Sequence, residues 1–395
     1  MTMNIPVAWL QLTQQRVRFL ATLAGISFVV ILIFMQFGFQ DALYSSATQL
    51  HQTFKGDLFV ISSQYNALTS QQSFPRNRLY QTLAFNGVES VNPVYLQFAK
   101  LKNPYTGKKN PIYVVAFDPA NSVFDLPQIN RLLPLIQLPN TVLFDQASRP
   151  EFGAIARNFN RGNIKNQEDI KVEVSSYNAS VGYKVKIGGL FSLGPSFGVD
   201  GHLVMSYSTL LRTFLDREAS YIDLGLINLK ENVDKEIIIK HLKDNLPNDI
   251  KILTREEYIK FERDYWSLRT PIGFVFSMMT IMGLVVGIVF VYQILYSNIS
   301  TNLVAFATLK AMGFKHNYLL KIVFQQALLL AVLSYIPGLI ITFGLYDIAK
   351  DATKLPIIMT WDKGILVISL VTSMCLVSGF LAIQKLKAAD PADIF

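Results

Sequence analysis

Four stretches of the chain run without a charged residue for long enough to cross a bilayer, which takes about 20 apolar residues in a helix. They cover 19–40, 271–297, 322–346 and 364–384. Residues 41–270 hold no comparable run, and their short alternating segments predict strands at 57–62, 90–101, 112–118, 142–145, 171–174, 183–187, 202–206, 222–229 and 251–253. Helices are predicted at 41–54, continuing the first apolar run, and at 233–246, where Ile237, Ile238, Ile239 and Leu242 lie. Thr254-Arg255-Glu256-Glu257 reads as a capping box opening a further helix that runs into the second apolar run. Asn103-Pro104-Tyr105-Thr106-Gly107 reads as a hairpin tip. The expected fold class is an α-helical membrane protein with four transmembrane helices and a large mixed α/β extracytoplasmic domain inserted between helices 1 and 2. Within that domain the two chain ends are expected to share one layer, with 144–206 inserted as a smaller distal part.

Composition agrees: of 395 residues 51% are hydrophobic and only 16% charged, the balance of a few spans plus one water-soluble part. The net charge of +8 is largely an orientation signal. Arg16 and Arg18 precede the first span, Lys310, Lys315 and Lys321 fall between the second and third, and Lys385 and Lys387 follow the fourth. In the opposite loop, 347–363, Lys350, Lys354 and Lys363 are balanced by Asp347, Asp351 and Asp362. Positive charge is retained on the cytoplasmic side. Segments 1–18, 298–321 and 385–395 are therefore expected inside, and 41–270 outside. The start of the chain is read as an uncleaved anchor. Pro6 to Gln15, with Trp9, reads either as an amphipathic helix on the inner membrane face or as an extension of the first span. The only cysteine, Cys375, lies in the fourth span, so the external domain must hold together without disulfides.

Catalysis finds little support. His51, His202, His241 and His316 are spaced for no metal site, and no phosphate-cradling Gly-x-x-x-x-Gly-Lys sequence occurs. Gly194-Pro195-Ser196 lacks the surroundings of a nucleophile elbow, and Asp200 with His202 is the one acid-base pair worth naming. A non-catalytic subunit is expected, with no cofactor of its own.

The loop between the second and third spans carries a different pattern. In Leu303 to Lys315, residues Phe306, Leu309, Met312 and Phe314 form an apolar ridge beside Lys310 and Ala311, and Gly313 closes the short helix. A loop needed only for its charge requires neither feature. Small-x-x-x-small faces occur at Gly283 and Gly287 and at Ala21 and Gly25, where helix backbones can approach closely, within one chain or between two.

Ala307-Thr308-Leu309-Lys310-Ala311-Met312-Gly313 resembles the cytoplasmic signature of the FtsX-like and MacB-like permeases of ABC transporters. The layout of one span, a large external domain, three spans and a short tail resembles them too. So does Asp390-Pro391-Ala392-Asp393. Lys55-Gly56-Asp57-Leu58-Phe59-Val60 and that ending are most similar to the DevC-type permeases of cyanobacterial exporters. The chain departs from the family at Asn302 to Ala305, where an Arg-Glu pair is common, and at Gln325 or Gln326, where an acid is common.

The resemblance implies a MacB-like periplasmic core and a coupling helix that docks on a separate ABC ATPase, which would bind ATP and magnesium. It implies a homodimer in the inner membrane that drives export of a lipid or glycolipid through a membrane-fusion adaptor and a TolC-like outer-membrane channel. Related readings are an FtsX-like regulator of a cell-wall hydrolase and a permease that extracts lipoproteins. Topology is testable first: in a Cys375→Ser background, Lys310→Cys and Asp200→Cys should react with a membrane-impermeant maleimide from opposite compartments. Labelling of both from one side would refute the orientation.

Overall fold

The computed structural model describes residues 5–70, 72–162, 170–177, 179, 181–196, 198–301, 312 and 316–387. The chain divides into two compact units, Met1–Ala42 with Pro271–Phe395, and Leu43–Thr270.

The first unit is helical. It holds α1 (Ile5–Thr13), the first part of α2 (Arg16–Thr53), α9 (Pro271–Thr301), α10 (His316–Thr353) and α11 (Trp361–Lys387), with the intervening labels belonging to the second unit. Four described helices are long and apolar enough to cross a membrane: α2, α9, α10 and α11. Their shared core includes Ile26, Val30, Phe34, Val291, Leu295, Ala327, Leu330, Val371 and Cys375. Polar contacts mark its two ends. Arg18 donates to Thr301 at 2.7 Å, and Lys363 meets Asp41 at 2.8 Å. Neighbouring apolar stretches therefore run in opposite directions.

The second unit is α/β. After α2 come β1 (Leu58–Ser62), β2 (Phe74–Pro75), α3 (Arg76–Gln81), β3 (Val88–Lys102), β4 (Lys109–Phe117), α4 (Pro127–Ile136), β5 (Thr141–Asp145) and α5 (Ile155–Gly162). β6 (Lys171–Ser176), β7 (Tyr183–Phe191), β8 (His202–Ser206), α6 (Tyr207–Thr213), β9 (Tyr221–Ile222) and β10 (Leu224–Leu229) follow, then α7 (Lys235–Asn245), β11 (Ile250–Thr254) and α8 (Arg255–Asp264).

Nine strands form one sheet in the order β11-β1-β10-β3-β4-β8-β5-β7-β6, and β6 also pairs with β3. That last pairing closes six strands, β3-β4-β8-β5-β7-β6, into a ring, while β11, β1 and β10 extend from it as an open sheet. β3 serves both parts. Its start, Val88 to Val94, pairs with β10, and Tyr95 to Lys102 pair with β4. Ala99 to Lys102 also pair with Glu173 to Ser176 of β6.

The strands of the expected distal part, 144–206, thus have no sheet of their own, because they are hydrogen-bonded into the ring on β3 and β4. On β4, Ile112, Val114 and Ala116 enter one core cluster while Tyr113, Val115 and Phe117 enter another. Both faces are covered, as the unbroken apolar run requires. Asn103 turns the β3–β4 hairpin by accepting from the N–H groups of Tyr105 and Thr106 at 2.8 and 3.1 Å.

Two expected elements are interrupted. The single strand expected over 222–229 is split at Asp223, whose carboxylate turns inward to accept from Leu96 N–H at 2.7 Å and from Arg217. The helix opened by Thr254 does have both capping-box bonds. It does not continue into the apolar run: after a π-helical turn, Tyr265–Arg269, Thr270 is extended. Pro271 follows, and a proline's ring disfavours helical geometry at the residue before it.

Asp57, just before β1, accepts from Leu229 N–H at 3.0 Å and from Lys235 at 2.7 Å. Burial alone would raise this carboxyl; the Leu229 and Lys235 bonds outweigh it, and the group is held below its ordinary value. A depressed carboxyl contributes stability that is present above its unfolded pKa of about 3.9 and is lost as the pH falls through the folded value. Asp57→Asn should therefore lower the urea midpoint near pH 7, and its deficit against wild type should shrink as the pH falls from about 3.9 through the lower folded value. An unchanging deficit would refute the ionic origin.

Candidate functional site

The expected ATPase-coupling residues Phe306, Leu309, Lys310, Ala311, Gly313 and Phe314 lie outside the described residues. Met312 is described, and it is 62% exposed. The segment joins α9 to α10.

The small residues expected at helix contacts divide between two situations. A Cβ on Gly25 would stand 2.5 Å from the Phe290 ring, and one on Gly287 would strike Met374 Sδ and reach 3.1 Å from Val29. Both glycines are thus used within the chain, bringing α2, α9 and α11 together. Gly283 has only the Gln36 carboxamide near it, at 4.0 Å, and Ala21 is exposed. Gln36 donates to Thr280 Oγ1 at 2.7 Å and to Phe276 O at 3.0 Å, so its polar end is satisfied inside the apolar bundle. α9 is the least covered helix: 11% of its most apolar stretch is buried, against 39% for α2 and for α11. Its outward residues include Met278, Met282, Val285 and Val289.

The second unit contains two buried clusters built on carboxylates. Glu262 of α8 is 1% exposed and accepts from Tyr65 OH and Leu68 N–H, each at 3.0 Å, and from Trp266 Nε1 at 2.9 Å. His51 Nε2, on α2, stands 3.3 Å from the same carboxylate, and its ring lies 4.4 Å from that of Tyr258. Burial, then Tyr258 and Glu262, push the Tyr65 phenol well up; burial, then Glu262, raises Tyr258. Both phenols therefore stay protonated. One carboxylate thereby gathers the end of α2, the loop after β1, α8 and the π-helical turn.

The second cluster corrects the acid-base pair read from sequence. His202 faces Asp145, with Nδ1 to Oδ2 at 3.6 Å, while Asp200 pairs with Arg149 at 3.3 Å. Asp145 also accepts from the N–H groups of Ala147, Leu193 and Gly194 at 3.0, 3.0 and 2.8 Å. Burial raises the Asp200 carboxyl, with Arg149 opposing and Glu151 adding to it. His202 and Asp145 are 1% and 0% exposed, so a substrate has no path to them without local opening. Their geometry is that of a loop clamp. Among the described residues no group of three or more His, Cys, Asp or Glu could hold a metal ion.

Sequence reasoning missed Glu262 and Asp145. The signal for Glu262 was the spacing Tyr258, Glu262, Trp266, an acid between two aromatics on one helical face. Asp145 gave none, since Leu193, Gly194 and His202, the partners that fix its role, lie 48 or more residues further along the chain.

Residues 277–391 match the family model described as FtsX-like permease C-terminal. No curated protein matches the sequence. Among solved structures, the periplasmic region of MacB from Actinobacillus actinomycetemcomitans aligns at TM-score 0.34 and 12% identity, covering 53% of this chain and 92% of that one. The extracellular domain of the noncanonic ABC-type transporter YknZ from Gram-positive bacteria aligns at TM-score 0.30 and 11% identity, covering 50% and 99%. Alignments at these scores bear on neither fold nor function.

Removing the Glu262 carboxylate leaves the Tyr65, Leu68 and Trp266 donors buried without an acceptor. Glu262→Ala should cost about 3–5 kcal/mol of unfolding free energy, the range for breaking a buried charged network by removing one member. Denaturant unfolding of the detergent-solubilised chain measures it. A loss below about 1 kcal/mol would show that the carboxylate is not what holds these segments.

Proposed function

We propose that the chain is the permease subunit of an ABC transporter, converting the closure of partner ATPase subunits into movement of its large external domain. The observation that carries this reading is the family match over 277–391, which spans most of α9, all of α10 and α11, and the segment between α9 and α10. In that segment Phe306, Leu309 and Met312, with Lys310, Ala311, Gly313 and Phe314, would form the ATPase-docking helix. ATP and magnesium would be bound by the partner alone.

Four apolar helices are few for a transporter, and a second copy would complete the membrane part. With Gly25 and Gly287 occupied inside the chain, the bare outer face of α9 is the surface left for that contact. Orientation follows the basic segments: termini and docking helix in the cytoplasm, residues 41–270 outside. The proposed work is export of a lipid-like cargo, a glycolipid by resemblance to DevC-type permeases, passed to an adaptor and an outer-membrane channel.

Phe306→Asp and Leu309→Asp place a charge on the apolar ridge and should abolish co-purification of an ABC ATPase while membrane insertion stays at the wild-type level. A complex recovered at wild-type yield would overturn the docking assignment.

A further inference from the structure

On the second unit two arginines and three tyrosines stack in a ladder. Arg217 lies over the Tyr95 ring with its Cζ 5.5 Å from the centroid. Tyr95 stacks on Tyr207 at 4.5 Å between centroids. Arg76 then lies over Tyr207 at 5.9 Å and over Tyr80 at 5.1 Å. Such contacts hold the rings and guanidinium planes in place through the attraction of a cation for the ring face, which strengthens when the pair is desolvated. They leave the N–H and O–H groups unspent.

The two arginines are in different electrostatic situations. Arg217 is neutralised by Asp223, and its fork also donates to Leu96 O at 2.9 Å. Arg76 donates to the Tyr80 hydroxyl at 2.7 Å, and it forms no ion pair among the described residues. Its Nε is buried and without a hydrogen-bond partner. The Tyr95 hydroxyl is in the same condition, on a residue only 1% exposed. Arg76 is near enough to that hydroxyl for each to alter the other's acidity. Burial keeps the Tyr95 phenol well above its ordinary value, against the pull of Arg76, so it remains a donor.

A buried donor left unmade carries the cost of the hydration it has lost. Two of them, one on the guanidinium of Arg76 itself and one on Tyr95, describe a place where an anionic oxygen belongs, because such a group accepts from both and offsets the charge. Tyr80, 40% exposed and in contact with Arg76, gives the cluster an open aromatic margin. We infer that Arg76, Tyr80, Tyr95 and Tyr207 form a binding site for a phosphate group, reached from the Tyr80 side. The source is either free phosphate or a phospholipid headgroup. The inference stands apart from the permease reading, since it rests on no residue of the ATPase-docking segment.

Calorimetric titration of the full chain in non-ionic detergent tests it, with inorganic phosphate alone and with dihexanoyl phosphatidylglycerol alone, each against potassium chloride at matched ionic strength. Saturable binding of at least one probe is expected. Saturation by inorganic phosphate identifies the free anion as sufficient, and saturation by the lipid alone identifies the headgroup. Arg76→Gln should weaken binding by about tenfold or more, and Tyr95→Phe by about three- to tenfold. Tyr95→Phe removes an unpaired hydroxyl and keeps the ring, so its thermal midpoint should equal or exceed that of wild type while binding falls. Absence of saturable binding by both probes, or wild-type affinity in Arg76→Gln, overturns the site. ATPase capture by the same preparations is read separately, so loss of one result does not carry the other with it.

Discussion

A buried carboxylate is tolerated only where donors replace the water it has lost, and Glu262 shows how much architecture that requirement can organise. Its acceptor capacity is met by a hydroxyl from Tyr65, a backbone N–H at Leu68 and the indole of Trp266, with His51 alongside. These groups come from a loop, a π-helical turn and the end of α2, segments far apart in sequence. An apolar contact would accept many arrangements of the same pieces. A carboxylate with fixed donors accepts few, so the charge sets geometry more than it adds stability.

The same accounting of backbone groups explains the sheet. β3 changes partners midway, from β10 to β4, and gains β6 on its other edge only over Ala99 to Lys102, while at Leu96 the side chains of Asp223 and Arg217 take the N–H and C=O. Ring closure removes the free edges that a six-stranded open sheet would expose. The remaining edge of the nine-stranded sheet is β11, five residues long and followed at once by α8. Short length and an immediate helix limit its capacity to recruit foreign strands.

Much of this was legible in the sequence where pattern and chemistry are local. The apolar runs, the capping box at Thr254 and the Asn103 turn each depend on neighbours within a few residues. Long-range choices left weaker traces. Ring closure through Ala99 to Lys102 cannot be read from β3, because the residues that close it differ in no periodic way from those that do not. Asp223 read as part of a strand, since nothing nearby in sequence announces Arg217 or Leu96 as its partners. The break at Thr270 had a visible cause in Pro271, and the continuity of apolar character from there concealed it. Of the site residues, the glycine faces could be located by spacing, but not whether they serve one chain or two.

That last ambiguity resolves into a constraint on the bundle. Close approach needs a missing side chain on one helix and a filled volume on the other, and Gly25 and Gly287 already have theirs in Phe290, Met374 and Val29. A second copy using the same glycines would have to displace those side chains and lose the packing they provide. The stripe Met278, Met282, Val285 and Val289 carries no such cost, being exposed along one face of α9 at spacings of four, three and four residues. Unbranched methionines there can adapt to lipid or to another helix without rearranging the interior. The glycines fix the inside of the bundle, and the methionine and valine stripe is free to meet whatever lies outside it.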